Sequence, residues 1–160
     1  MNKKVTIRKA TADDVDAMVD LIAFYEKQGK VLKRDRADLL FYLKNFLVAV
    51  DDDNVLCGCG AVRDFGDGLY ELRSLVVSPD CRGCGIGGAL VRSLVEKLRD
   101  NNPDSRLFTL TCEPEFFKRV GFELSDRNQY PAKIWSDCAK CPRNDNCNET
   151  ALEYPKASEG

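Results

Sequence analysis

Residues 69–88 read LYELRSLVVSPDCRGCGIGG and carry the strongest structural signal in the chain. The run from Leu69 to Val77 is apolar and β-prone, and Pro79 ends it, so a strand is predicted there. Four glycines follow between residues 83 and 88. Beyond them an apolar stripe predicts an amphipathic helix, formed by Ile86, Leu90, Leu94 and Leu98 with Val91 and Val95 beside them.

The glycine-rich loop between this strand and helix is suited to binding an anion. Glycines let the backbone approach a ligand closely, and the N–H groups at a helix N-terminus favour phosphate oxygens. Arg82 adds a cation at the rim of the loop. A turn without a ligand accounts less well for four glycines and an arginine at one helix start.

Two other phosphate-binding loops match this sequence less well. A Walker loop ends in Gly-Lys-Ser or Gly-Lys-Thr, whereas residues 87–89 read GGA, which excludes it. Gly83, Gly85 and Gly88 have the spacing of a dinucleotide-binding fingerprint. That fingerprint follows the first strand of its unit and needs an acidic residue about 20 positions further on. Here the loop follows the fourth predicted strand, and no acidic residue ends the next strand in that way.

The elements predicted on either side of the loop give a mixed α/β architecture. Thr11 is a candidate N-cap for a first helix, in which Val15, Met18, Val19 and Ile22 have helical spacing. A second helix is predicted through Leu39, Leu40 and Leu43. Further strands are predicted at residues 4–8, 46–50, 55–62, 106–112 and 151–154, and a short helix at 115–120.

The composition excludes several kinds of chemistry. The chain has 160 residues, enough for one domain, and a net charge of −2, so it lacks the basic surface of a dedicated nucleic-acid binder. It has no His, which excludes Ser-His and Cys-His catalytic pairs and imidazole metal ligands. We see no signal peptide and no apolar run that could cross a bilayer. We therefore expect a cytoplasmic protein that binds a small molecule and neither nucleic acid nor membrane, with its eight Cys as thiols or metal ligands.

Two stretches resemble the GNAT N-acetyltransferase superfamily. Residues 75–87 look like its Arg/Gln-x-x-Gly-x-Gly/Ala signature, and residues 116–122 look like its second conserved block. The resemblance covers about residues 46–124 and implies an α/β fold. In that fold a central mixed, mostly antiparallel sheet splays after the fourth strand and has helices on both faces. The resemblance also implies acetyl-CoA as cosubstrate, with the backbone of the strand before the glycine loop on the pantetheine and the loop itself on the pyrophosphate. The implied contacts are Leu75, Val76, Val77, Arg82, Gly83, Cys84, Gly85, Ile86, Gly87 and Gly88.

The resemblance also implies catalytic residues. Glu71 matches the position of a general base, which a protonated amine needs and which a carboxylate supplies best through a water. Arg73 shares its strand face and is expected to depress the pKa of Glu71, although without the resemblance a surface pair would be the preferred interpretation of the two residues. Many members place a Tyr acid where this chain has Phe117, so Thr111 is the substitute candidate, unless it is simply a β-branched strand residue. Without His to activate Cys84 or Cys112, direct attack is favoured over an acetyl-Cys route.

Three stretches are similar to the short N-acetylglutamate synthases of bacterial arginine biosynthesis: residues 28–36, 71–77 and 130–149. This resemblance implies glutamate as acceptor, and Arg forks grip carboxylates well. The implied substrate-binding residues are Leu32, Arg34, Arg73 and Lys133, although residues 30–36 also fit a solvated basic loop. Another small-molecule or protein amine as acceptor, and a non-enzymatic acetyl-CoA sensor, remain as alternatives.

The last thirty residues differ in composition from the rest. We expect residues 1–129 to form the acetyltransferase core and residues 130–160 a Cys-containing extension packed on it. The spacing of Cys138, Cys141 and Cys147 suits a zinc or iron–sulfur site that lacks its fourth ligand. The alternatives are free thiols or a redox pair of Cys138 and Cys141. Cys57 and Cys59 are expected to be packed thiols. A homodimer is left open.

Overall fold

The computed structural model describes residues 4–29, 31, 34–81, 83, 85–126, 130 and 150–155. Its strands are β1 (Val5–Lys9), β2 (Phe46–Asp51), β3 (Leu56–Asp64), β4 (Leu69–Val77), β5 (Arg106–Thr111), β6 (Glu123–Leu124) and β7 (Thr150–Tyr154). Its helices are α1 (Val15–Glu26), α2 (Arg36–Phe41), α3 (Ile86–Asn101) and α4 (Pro114–Arg119). Short 3₁₀ turns lie at Ala12–Asp14, Leu43–Asn45 and Pro79–Cys81.

The strands form one mostly antiparallel sheet in the order β1-β2-β3-β4-β5-β7-β6. The β1–β2, β2–β3, β5–β7 and β6–β7 pairs are antiparallel, and the β4–β5 pair is parallel. A parallel pair needs a long crossover connection, which α3 provides between β4 and β5. The β4–β5 ladder covers Leu69–Glu71 and Arg106–Phe108 and ends there, although β4 continues to Val77. This short ladder confirms the predicted mixed sheet with a splay at the fourth strand.

The chain divides into two compact units, and β4 contributes to both. The first unit comprises residues 1–63 and 72–103, and the second comprises residues 64–71 and 104–160. The predicted boundary between residues 129 and 130 stays a prediction, because most of the extension lies outside the described residues.

One face of α1 forms much of the core of the first unit. Val15, Met18, Ile22 and Tyr25 have helical spacing, and each is at most 5% exposed. They pack with apolar residues from α2, β2, β3 and β4, namely Leu39, Phe46, Val48, Val50, Cys59, Ala61 and Val76. Burying such side chains stabilises a fold by roughly 1.5–3 kcal/mol each.

A charge pair fixes the start of α1. The Arg8 guanidinium donates to both Asp14 carboxylate oxygens, at 2.8 and 3.0 Å. The backbone N–H and the hydroxyl of Thr11 donate to the same carboxylate, at 2.8 and 3.1 Å. Hydrogen bonds from Arg8 above all hold the pKa of Asp14 below its ordinary value, against the opposing effect of burial. Thr11 is thus the N-cap residue, as predicted, for the 3₁₀ turn that leads into α1.

A polar network lies inside the second unit. Tyr130 is 2% exposed and stacks on Phe108, with ring centroids 4.3 Å apart. Its hydroxyl hydrogen-bonds the Glu153 carboxylate and lies 2.8 Å from the Ser125 hydroxyl. Arg106 donates to both Glu153 oxygens, at 2.6 and 3.1 Å. Burial, together with the Glu153 hydrogen bond, raises the pKa of Tyr130 to about 12.

The predicted strand 69–77 is confirmed, and the amphipathic helix predicted after the glycine loop is present as α3. The other predicted helices and strands are present with ends shifted by a few residues, and β6 is an additional strand. Leu40 was predicted on the apolar face of α2, but it is 43% exposed in this helix of only six residues. Within the described part of the chain, no helix has the length and apolar character needed to cross a membrane.

Candidate active site

The N-terminus of α3 has the geometry of an anion-binding site. Gly85 is its N-cap residue in the left-handed conformation, with φ of 74°, and as a glycine it has no side chain to cap the helix. The first intrahelical bond runs from the Ala89 N–H to the Gly85 carbonyl at 3.0 Å, so the N–H groups of residues 86–88 precede that ladder. Gly83 is also left-handed, with φ of 83°, and open space surrounds both glycines. Phosphate oxygens are suitable partners for such N–H groups.

The strand before this loop has an irregular backbone at Ser74. Its φ of 56° is left-handed inside β4, a conformation that disrupts regular strand geometry as a bulge does. The Cys59 thiol of β3 lies 3.8 Å from the Ser74 carbonyl oxygen and donates a weak hydrogen bond to it. Cys59 is fully buried, and burial raises its pKa to about 12. Cys59 is therefore a packed thiol, as predicted, and it supports the irregular point of the strand.

Two glycines of β3 allow its neighbours to approach closely. A Cβ at Gly58 would lie 2.9 Å from the Val76 carbonyl oxygen and 3.2 Å from a Leu90 methyl carbon. A Cβ at Gly60 would lie 3.0 Å from Leu75 Cδ1. Any side chain at Gly58 would thus force backbone to move, so this glycine sets the position of β4 and α3. We did not identify Gly58 and Gly60 from the sequence, although alternate glycines in a strand are a recognised sign of close approach.

The end of β4 is held by contacts to two other elements. The Tyr25 hydroxyl of α1 donates to the Val77 carbonyl oxygen at 2.5 Å. The Ser78 N–H donates to the Cys57 carbonyl of β3 at 2.8 Å. We did not predict these contacts, because they join residues far apart in the sequence.

The two candidate catalytic residues lie in the second unit. Glu71 is 8% exposed and faces Phe108 in the β4–β5 register, at the last position of that ladder. Thr111 is the half-buried last residue of β5, where it pairs with Thr150. Its Oγ1 accepts a hydrogen bond from the Glu113 N–H at 2.9 Å. Arg73 is half-buried in β4, and its predicted effect on the pKa of Glu71 stays a prediction.

The glycine-capped helix and the irregular fourth strand lie inside a recognised domain. A model of the acetyltransferase (GNAT) domain matches residues 43–124, which is just over half of the chain. The chain belongs to the GNAT acetyltransferase family.

Relatives of this GNAT chain extend the match beyond the domain. It is 33% identical to an uncharacterized N-acetyltransferase of Chlorobaculum tepidum, over 91% of this chain and 93% of the relative. It is also 33% identical to the amino-acid acetyltransferase of Mycobacterium tuberculosis, over 84% and 77% of the two chains. The Neisseria gonorrhoeae N-acetylglutamate synthase, complexed with coenzyme A and N-acetyl-glutamate, superimposes with a TM-score of 0.86 at 28% identity. That match covers 99% of this chain but 36% of the synthase, so this chain spans about a third of its length.

These relationships make the chain an acetyl-CoA-dependent acyltransferase of the GNAT type. The start of α3 at left-handed Gly85 presents main-chain N–H groups that suit a pyrophosphate, and the contact itself stays a prediction. Among the described members of the predicted cofactor site, the loop glycines are left-handed or helical, and Ile86 is buried beneath them. Arg82 and Cys84 lie outside the described residues.

Phe117 has a structural role in this GNAT domain. It is 7% exposed and packs edge-on against Phe116 and Phe122, with ring centroids 5.0 and 5.3 Å apart. Phe122 in turn packs edge-on against Tyr154 of β7. The position where many family members place a Tyr acid is therefore part of an aromatic cluster and has no hydroxyl to donate.

The predicted acceptor loop is described in part. Arg34 is half-buried just before α2. Asp35 replaces the Ser of the related loops and caps α2, since its carboxylate accepts the Asp38 N–H at 2.8 Å. The Arg36 guanidinium forms an exposed ion pair with Asp16 of α1. Leu32 and Lys133 lie outside the described residues.

The predicted metal ligands Cys138, Cys141 and Cys147 also lie outside the described residues, so the zinc or iron–sulfur prediction stays a prediction. Within the described part, no group of three or more His, Cys, Asp or Glu residues could hold a metal ion. Among the described cysteines, Cys112 is half-buried and three are buried: Cys57, Cys59 and Cys81.

Proposed function

We propose that this GNAT enzyme transfers the acetyl group of acetyl-CoA to the α-amine of L-glutamate, giving N-acetyl-L-glutamate and CoA. The supporting observation is the likeness of nearly the whole chain to a synthase structure that contains coenzyme A and N-acetyl-glutamate. The name amino-acid acetyltransferase, carried by the Mycobacterium tuberculosis relative, agrees with this acceptor class. A cytoplasmic role in the first step of arginine biosynthesis belongs to the same proposal.

Main-chain groups of the first unit bind the cosubstrate in this proposal. The backbone of Leu75–Val77 pairs with the pantetheine, and the N–H groups of residues 83–88 hold the pyrophosphate. The left-handed residue at Ser74 supports this role, because an irregular strand backbone re-aims its neighbouring N–H and C=O groups. The positive end of the α3 dipole adds to the attraction for phosphate.

Glu71 accepts the proton that the glutamate ammonium must lose before it can attack. A water relays the proton, since a carboxylate alone is a weak base toward an ammonium group. The amine nitrogen then forms a bond to the acetyl carbon, the carbon–sulfur bond breaks, and its electron pair leaves on sulfur. The nitrogen loses its surplus proton to water, which gives the amide and the CoA thiolate.

Thr111 donates a hydrogen bond to the departing sulfur in this scheme. Its oxygen already accepts the Glu113 N–H, so its own hydrogen is directed to another acceptor. Thiols ionise near pH 8.5, so a thiolate is a tolerable leaving group and a hydrogen bond can replace full protonation. This accounts for an active enzyme with Phe117 at the usual position of the acid.

Arg34 binds one carboxylate of the acceptor, together with Leu32, Arg73 and Lys133. A guanidinium presents parallel N–H groups that match a carboxylate. Arg34 is the candidate because residues 28–36 resemble the glutamate-binding loop of N-acetylglutamate synthases.

The proposal is tested by measuring free CoA thiol from purified protein with acetyl-CoA and a panel of amino acids, polyamines and protein amines. Release that depends on L-glutamate, with N-acetyl-L-glutamate identified by mass spectrometry, is the expected result. Release with a different amine alone would replace glutamate as the acceptor but leave the enzyme class standing.

Two matched variants refine the acceptor assignment. Arg34→Ala should raise KM for glutamate about 10- to 100-fold through the loss of charge-assisted hydrogen bonds, with KM for acetyl-CoA unchanged. Arg36→Ala, on the neighbouring exposed ion pair, should leave both constants unchanged. Equal effects of the two variants would mean that general charge, and not a specific contact of Arg34, attracts the acceptor.

A further inference from the structure

The peptide group between Val77 and Ser78 is held from both of its sides. Its carbonyl oxygen accepts the Tyr25 hydroxyl at 2.5 Å, and its N–H donates to the Cys57 carbonyl at 2.8 Å. Because a peptide group is planar, these two bonds together fix its orientation. The two partners come from different elements, α1 and β3.

This peptide group lies between the two stretches that are proposed to bind acetyl-CoA. Leu75–Val77 precede it, and the glycine loop begins a few residues after it. A rotation of this plane would change the direction of the main-chain groups next to it. It would also change the angle at which the chain enters the Pro79–Cys81 turn.

Tyr25 is well placed to hold the plane rigidly. It is 5% exposed on the buried face of α1, in the same core cluster as Val76 and Cys59. Its ring also packs edge-on against Phe24 at a centroid distance of 5.1 Å. A tyrosine held by packing gives its hydroxyl little freedom, so the bond to Val77 is directional.

We propose that Tyr25 is a positioning residue for the cosubstrate. Through the Val77 carbonyl it fixes the β4 main chain in the orientation that pairs with pantetheine. This inference rests on the proposed role of Leu75–Val77 and does not depend on glutamate as acceptor. Tyr25 contacts no reacting atom in this scheme.

Tyr25→Phe tests the proposal, because it removes the hydroxyl and keeps the ring. Two probes separate the stretches on either side of the peptide group. Desulfo-CoA contains pantetheine, whereas 3′-phosphoadenosine 5′-diphosphate contains the pyrophosphate without pantetheine. Calorimetry should show about fivefold weaker binding of desulfo-CoA, the effect of one lost hydrogen bond, and unchanged binding of the shorter probe. KM for acetyl-CoA should rise by the same factor, with kcat unchanged.

Two further variants make the result decisive. Tyr42→Phe changes a half-exposed tyrosine of the same unit and should affect neither probe. Gly58→Ala places a Cβ against the Val76 carbonyl and so moves the same strand without touching Tyr25. It too should weaken the binding of desulfo-CoA and leave the binding of the shorter probe unchanged.

Equal weakening of both probes by Tyr25→Phe, or a lower melting temperature with unchanged affinities, would assign Tyr25 a purely structural role and overturn the proposal. If only Gly58→Ala weakens the binding of desulfo-CoA, the pantetheine contact of β4 is supported and the positioning role of Tyr25 is wrong. If neither variant affects desulfo-CoA, the proposed pantetheine contact at Leu75–Val77 fails as well.

Discussion

The two units of this chain use different parts of the polypeptide. In the first unit the candidate site depends on main-chain conformation, which is left-handed at Ser74, Gly83 and Gly85. It also depends on Gly58, which lets β4 and α3 lie close to β3. In the second unit the candidate catalytic groups are the side chains of Glu71 and Thr111. A charged side-chain network around Glu153 ties β5, β7 and Tyr130 together there.

This difference follows from what each unit has to do. A cosubstrate with a long polar chain and two phosphates offers many hydrogen-bonding groups, which a strand and a helix terminus can match without any particular side chain. Proton transfer needs a group that titrates, and in this chain without His the candidate is the Glu71 carboxylate. The first unit should therefore be sensitive to backbone changes and the second to changes in charge.

The largest expected effect is that of Glu71→Gln, which tests whether the second unit supplies side-chain chemistry. We expect kcat to fall about 100-fold, the lower range for removal of a general base, with KM for acetyl-CoA unchanged. Steady-state rates with varied acetyl-CoA and saturating L-glutamate measure both constants. Glu115→Gln, on the exposed start of α4, is the matched control. Unchanged turnover in Glu71→Gln would mean that another group removes the proton.

The next effect concerns the stability of the second unit. Glu153→Gln removes the charge that accepts two Arg106 hydrogen bonds and the Tyr130 hydroxyl. We expect the free energy of unfolding to fall by about 2 kcal/mol, because a buried hydroxyl and a guanidinium lose a charged acceptor. Urea unfolding measures this. Glu123→Gln, at the exposed position opposite Glu153 in the β6–β7 register, should have little effect.

Local sequence signals were sufficient to predict β4 and α3. The β-prone run with Pro79 beyond it and the i, i+4 stripe after Gly85 are contained within a few residues, and both elements are present where they were expected. β6 was missed because two residues carry no periodic pattern. The α2 prediction overestimated its apolar face, since a helix of six residues buries only Leu39.

The candidate site was predicted only where a motif is continuous in sequence. The glycine loop is one such motif. The Tyr25–Val77 bond joins residues 52 positions apart, and the Tyr130–Glu153 bond joins residues 23 apart. Neither pair leaves a local pattern, because its partners are brought together only by the packing of α1 and the pairing of β5 with β7. Gly58 and Gly60 were visible in the sequence, but their close contacts depend on the position of β4 and α3.

A smaller effect tests the backbone character of the first unit. Gly85→Ala should weaken CoA binding about tenfold. An L-residue in the left-handed conformation costs roughly 1–2 kcal/mol, and a backbone that relaxes to avoid this cost would tilt the first N–H groups of α3. Gly68→Ala is a close control: its φ is 79° and it too has open space around it, but it lies in the turn before β4. Both variants should lose similar stability, while calorimetry should detect weaker CoA binding in Gly85→Ala alone. Similar CoA affinities in the two would show that the helix start does not need this conformation to bind.

The smallest effect concerns the Arg8–Asp14 pair of the first unit, which we expect to support folding and not binding. Arg8 holds the pKa of Asp14 below its ordinary value, so the unfolded chain binds a proton there more readily than the folded one. The stabilisation is therefore complete above the ordinary pKa of about 4 and disappears as pH falls through the lowered folded-state value. Asp14→Asn should cost about 1 kcal/mol at pH 7, and urea titrations at decreasing pH should show its difference from the parent chain shrinking below pH 4. Asp13→Asn, at the exposed neighbouring position, should show no such convergence. A pH-independent difference for Asp14→Asn would assign its contribution to the neutral hydrogen bonds with Thr11 and not to the ion pair with Arg8.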